Sequence, residues 1–110
     1  MENDIKAWLT DIKRSITEIY DFLPAEKNFS TFQQDLKTRK AVERNLEIIG
    51  EALNRILRVN PDIHITNSRR IVDTRNRIIH GYDTVSEEII WSIVMKELPK
   101  LEGEIDRLLL

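Results

Sequence analysis

Ala41-Val42-Glu43-Arg44-Asn45-Leu46-Glu47-Ile48-Ile49-Gly50-Glu51-Ala52-Leu53-Asn54-Arg55-Ile56-Leu57 is the stretch that decides the fold. Val42, Leu46, Ile48, Ile49, Ala52, Leu53, Ile56 and Leu57 recur at helical spacing and cover about half the circumference at roughly 100° per residue. A half-circle is more than one neighbour requires. It predicts a helix packed on two sides, or on a core and a partner chain. Gly50 inside such a helix costs about 1 kcal/mol relative to alanine, and close helix approach is the expected compensation. Asn45 falls in the middle of the apolar arc. A buried amide needs partners, so it either bonds a neighbouring helix, which is the commoner case, or lines a polar cleft.

Working outward, this helix is expected to begin near Ser30, where Ser30 and Gln33 have capping-box spacing, and to end about Val59, before Pro61. Upstream, Ile5, Trp8, Leu9, Ile12, Ile16, Ile19 and Leu23 form a single stripe. They predict a first helix from about Asn3 to Leu23, stopped by Pro24. Downstream, Asn60 to Thr66 reads as a loop that leaves His64 in solvent. A third helix runs from Asn67 or Ser68 to His80, with Gly81 as its stop. A fourth starts after Thr84, with Glu87 placed for a capping box, and carries the stripe Ile90, Val94, Leu98, Leu101, Ile105, Leu108. Pro99 should kink it or start a further helix. No stretch alternates at strand period. The sum is an all-α, compact bundle of four or five helices in one domain over residues 1–110.

The chain has no cysteine, which excludes disulfides and thiolate zinc sites and fits a cytoplasmic location. No apolar run exceeds three residues, against the about 20 that a spanning helix needs, so no membrane association is expected. The net charge of -2 argues against a general nucleic-acid coat. Between Ser68 and Tyr82, however, four arginines face one acid, and from Ser86 onward six acids face three bases. A local basic patch on an acidic body suits a small phosphate target better than long duplex DNA. On charge alone, two ordinary solvated helix faces explain it better.

The chemistry concentrates in Arg75-Asn76-Arg77-Ile78-Ile79-His80-Gly81-Tyr82. Asn76 and His80 are four apart and share a helix face. Imidazole titrates near neutral pH and serves as general acid or base. The guanidinium of Arg75 can fork onto phosphate oxygens and stabilise the charge of a phosphoryl transition state. Histidine plus arginine without a carboxylate cluster suits metal-free RNA cleavage, in which the 2′-hydroxyl is the internal nucleophile. That reaction wants both a base and an acid, and one chain offers one good histidine. A two-fold homodimer would supply two. The same residues also fit an ordinary arginine-rich helix whose C-terminus meets a positive side chain, and spacing alone favours that explanation slightly. There is no Gly-rich phosphate loop, no paired-histidine metal motif and no Ser or Cys nucleophile signature; neither cofactor nor metal is expected.

At these residues the sequence resembles the HEPN-domain superfamily, and within it the HepT-like toxins of prokaryotic toxin–antitoxin pairs. Arg75, Asn76 and His80 match the arginine–polar–histidine motif of HEPN ribonucleases, and Gly81-Tyr82 its HepT-like extension. Ala41 to Ala52 looks like that group's second-helix signature, and Ile90-Trp91 with Leu98-Pro99 is a third match. The resemblance implies a HEPN bundle acting as a homodimer: a metal-independent ribonuclease toxin with catalytic Arg75 and His80, and with Asn76 and Asn45 lining the site. It also implies a type VII-like system, with a cognate MntA-like minimal nucleotidyltransferase antitoxin that can transfer AMP to Tyr82, giving O-AMP-tyrosine. Many members carry a Pro-Trp pair before the motif helix; here the region reads Ile65-Thr66-Asn67-Ser68. The alternative expectation is a non-catalytic helical module that docks a nucleotidyltransferase or binds a nucleotide.

Overall fold

A computed structural model describes residues 3–79 and 86–110. The elements are α1 (Asn3–Phe22), α2 (Phe29–Gln34), α3 (Leu36–Val59), α4 (Ser68–Ile79), α5 (Glu87–Ser92), a π-helical turn (Ile93–Glu97) and α6 (Leu98–Leu109). The described residues contain no strand, as the periodicities predict.

α3, about 36 Å long at 1.5 Å per residue, is the axis of the bundle. It packs against α1 on one side and α4 on another, with α6 closing over α1. Neighbours within the same chain therefore cover most of its wide apolar arc. Leu9, Ile12, Ile16 and Ile19 of α1 meet Leu46, Ile49, Leu53 and Ile56 of α3, and Ile71 of α4 with Ile90, Ile93 and Leu98 completes the set of large, fully buried side chains. Each such side chain stabilises the fold by about 1.5–3 kcal/mol. Lys13 ties α1 to α6, with Nζ 3.0 Å from Glu102 and 3.1 Å from Asp106. The hydrogen bond to Glu102, then that to Asp106, raises the lysine above its ordinary pKa. Half-exposed pairs of this kind contribute little to stability.

The structure corrects two local expectations. The helix expected from Ser30 to Val59 is two helices. Asn28, not Ser30, caps α2 by accepting from the Thr31 N–H at 3.0 Å. Asp35 ends α2 and caps α3, accepting from the Thr38 N–H at 3.1 Å. Both are short acceptors three residues before the amide they satisfy. Trp91 holds the resulting corner, with ring centroids 5.1 Å from Phe32 and 6.0 Å from Phe29.

The cap of α5 is Ser86, whose hydroxyl accepts from the Ile89 N–H at 3.2 Å. Glu87 is thus the first helical residue rather than the capping-box partner of Thr84, which lies outside the described residues. The Glu87 side chain instead pairs with Arg39 near the start of α3.

Pro99 starts a further helix, one of the two outcomes expected of it, and the join to α5 is a widened turn. The Leu98 N–H reaches back to the Ile93 carbonyl, a five-residue π bond, and Pro99 sits in the first turn of α6. A proline has no N–H to give and crowds the carbonyl four residues back; one widened turn accommodates it. The extra residue turns Ile93 and Glu97 inward together with Val94 and Leu98. Glu97 then pairs with Arg70 of α4.

Candidate functional site

Gly50 explains how α4 approaches α3. A Cβ built on Gly50 would overlap the Arg75 Cβ and lie 2.8 Å from the Arg75 Cγ, with the Ile71 carbonyl oxygen 3.4 Å away. Only a residue without a side chain lets α4 lie this close. The close approach expected at Gly50 is therefore present, and the side chain that occupies the freed space is Arg75.

From this root the Arg75 side chain is held at its tip by two acceptors. Nη1 donates to the Asn76 Oδ1 at 2.8 Å, and Nη2 pairs with the Glu51 Oε2. The other Glu51 oxygen lies 3.1 Å from Nη2 of Arg55, one turn along α3. The Arg75 side chain is 20% exposed, and its Nε is buried with no partner among the described residues. A guanidinium has more donors than these two acceptors use, so Arg75 remains able to bind an anion.

Arg75 opens into a groove of about 370 Å³ between α1, α3 and α4. Trp8, Ile48 and Ile79 give it apolar lining, and Arg55, Glu51 and Arg75 give it polar lining. Ile79 is 46% exposed, and His80 follows it directly in the chain. Arg44, paired with Glu47 at 2.9 Å, and Asp11 also line the groove.

The structure thus brings Arg75 and Asn76 together. Asn45 is buried at 4% exposure and is not among the groove-lining side chains. Its Nδ2 donates to the Ala41 carbonyl of its own helix at 3.1 Å, and its Oδ1 is buried without a partner among the described residues. Expectations for His80, Gly81 and Tyr82 fall outside the described residues. His64 is exposed, as its loop position predicts. Among the described residues no three His, Cys, Asp or Glu side chains cluster as metal ligands, and no helix is long and apolar enough to cross a membrane.

Glu51 is the residue that sequence reasoning left without a role. Its spacing to Arg55, one turn away, was readable. Its contact with Arg75 joins two helices across 24 positions of chain, and no local period encodes such a contact.

Comparison with known proteins identifies the family. The family model described as "Ribonuclease HepT-like" matches residues 12–108. A Thermococcus cleftensis protein named "Probable ribonuclease HepT" is 36% identical over 112 aligned positions, covering 98% of each chain. A Methanocaldococcus jannaschii protein named "Putative RNase" is 34% identical, covering 98% of this chain and 89% of its own. A Caldanaerobacter subterraneus protein, also named "Putative RNase", is 34% identical over 74% of each chain. No solved structure gives a significant match. The matched model spans most of the helical bundle, and the chain belongs to the HepT-like ribonuclease family of HEPN-domain proteins.

Proposed function

We propose that this protein is a metal-independent endoribonuclease whose site forms between two copies of the chain. Membership of a ribonuclease family makes RNA the substrate class. The observation that carries the finer reading is the Arg75 guanidinium, held on Glu51 and Asn76 at a groove, with His80 five positions on. In this reaction the 2′-hydroxyl attacks the adjacent phosphorus and the bond to the leaving 5′-oxygen breaks. One His80 takes the hydroxyl proton and a second supplies a proton to the leaving oxygen. Arg75 stabilises the charge gathering on the non-bridging oxygens. The apolar side chains of Trp8, Ile48 and Ile79 at the groove support pairing of two copies there, because the centre of an interface between chains is apolar and rich in aromatic residues.

In this reading the protein is the toxin of a pair. Its antitoxin is a minimal nucleotidyltransferase that places AMP on Tyr82. The adduct adds bulk and a negative phosphodiester two residues from His80, where it opposes entry of an RNA phosphate. The test is cleavage of total RNA and bulk tRNA in EDTA by protein whose intact mass shows no adduct, with Arg75→Ala and His80→Ala alongside. Cleavage by the unmodified dimer and loss in both folded variants is the expected result. Failure of the unmodified, folded dimer to cleave would leave a binding module that docks a nucleotidyltransferase.

A further inference from the structure

We propose that Glu51 is the positioning residue for Arg75, setting the aim of the guanidinium at the scissile phosphate. The proposal rests on the ribonuclease reading above and assigns a role to a residue that the motif does not contain. Glu51 touches no reacting atom in that scheme; it acts through Arg75.

Three observations carry it. First, Glu51 binds the arginine tip from the helix that also fixes its root, because Gly50 is the adjacent residue. Root and tip are thereby set by consecutive positions of one rigid helix. A forked cation is useful to a transition state only when its donors point where charge develops, and a long side chain held at one end alone does not meet that condition. Second, Glu51 is shared. Arg55 takes its other oxygen, so the trio of two guanidiniums and one carboxylate remains net positive, and the carboxylate steers Arg75 without cancelling the attraction for phosphate. Third, the Arg75 Nε is buried and unpartnered among the described residues, so the Glu51 and Asn76 bonds are the ones that define its orientation. A surface ion pair that merely decorated the helices would have neither the shared carboxylate nor the buried root.

The experiment compares Glu51→Gln with wild type and with Glu43→Gln, an acid on the same helix that pairs with Lys40. Glutamine keeps the shape and removes the charge. A mis-aimed Arg75 should lower kcat by about tenfold or more while KM stays within about twofold, since the loss falls on the transition state. Glu43→Gln should leave both unchanged. In an Arg75→Lys background, Glu51→Gln should add less than about a twofold loss, because the two residues act as one unit. Equal losses in both backgrounds, or a change confined to KM, would overturn the proposal. A second readout needs no activity: the Arg75 Nε–H resonance, assigned by its disappearance in Arg75→Lys. It should be sharp and protected in wild type and shift towards the position of a free arginine, with weaker protection, in Glu51→Gln. An unchanged resonance would overturn the proposal even if wild type cleaves RNA. If wild type does not cleave, the ribonuclease reading fails by itself, and this resonance still decides whether Glu51 holds Arg75.

Discussion

Gly50 and Arg75 occupy one space: the Cβ that residue 50 lacks would overlap the Cβ of Arg75. The glycine on α3 is therefore the reason that a motif arginine on α4 can begin its path against the neighbouring helix and finish at Glu51. Fold and site meet at this contact, which sets both the distance between two helices and the origin of the side chain proposed to hold RNA phosphate.

Gly50→Ala measures that contact. Alanine in a helix interior gains about 1 kcal/mol of propensity over glycine, and overpacking a close contact costs about 1–3 kcal/mol. The atoms met are the root of Arg75, which cannot swing aside as a side-chain tip would, so overpacking should win. The variant should lose several degrees in Tm and lose more cleavage activity than its remaining folded fraction accounts for. A Tm above wild type would show that α4 yields freely and that the glycine does not set the helix spacing.

The carboxyl of Asp35 accepts from the Thr38 hydroxyl at 2.6 Å and from the Thr38 N–H at 3.1 Å. These bonds, the hydroxyl's first, hold it below the ordinary carboxylate range. A depressed folded pKa means stabilisation that is fully present above the unfolded value, near 3.8, and lost as pH falls through the folded one. The Tm gap between wild type and Asp35→Ala should hold steady from neutral pH to about 5 and narrow below about 4. A gap of equal size at pH 3 and pH 7 would remove the charged cap as its cause.

How much of this was legible in the chain follows from the range of each interaction. The stripe of α1 and the arc of α3 are local periodicities, and the buried residues Ile5, Leu9, Ile12, Ile16, Ile19, Val42, Leu46 and Ile56 match them. The break at Asp35 was missed because Ser30–Gln33, Asn28–Thr31 and Asp35–Thr38 all have a cap's three-residue spacing. The packing of Phe29 and Phe32 on Trp91, about 60 residues away, goes with the two-helix solution. Pro99 announced an irregularity, but its form, a π turn that buries Glu97, accompanies that residue's pairing with Arg70. Arg75 and Asn76 were readable as neighbours in a motif. Glu51 was not, since its significance lies wholly in the approach of α4 to α3.

Glu97 is 5% exposed and Arg70 about half exposed, and one Glu97 oxygen has no partner among the described residues. The two halves of this pair should respond unequally. Arg70→Ala strands a buried carboxylate, whereas Glu97→Gln leaves a neutral amide and frees Arg70 into water. Urea unfolding should show a loss of roughly 2–4 kcal/mol for Arg70→Ala and less than half of that for Glu97→Gln. Equal or inverted losses would mean that the turn does not depend on this charge pairing.

Asn45 is the sharpest test of the boundary between fold and function. Its Nδ2 bonds a carbonyl of its own helix and its buried Oδ1 bonds nothing among the described residues. A buried acceptor without a partner costs about 1–3 kcal/mol. Asn45→Leu removes that cost, fills the space with hydrocarbon among Val42, Leu46 and Ile49, and gives up one bond to a carbonyl already engaged in the helix. Stability should stay within about 1 kcal/mol of wild type or rise. A fold that would be as stable without the amide has no structural reason to carry it, and such local conflicts concentrate at functional positions. Cleavage by Asn45→Leu should therefore fall by about tenfold or more, with the Tm intact. Full activity in a stable Asn45→Leu protein would end the proposed role of Asn45 and leave Arg75, Asn76 and His80 as the proposed site.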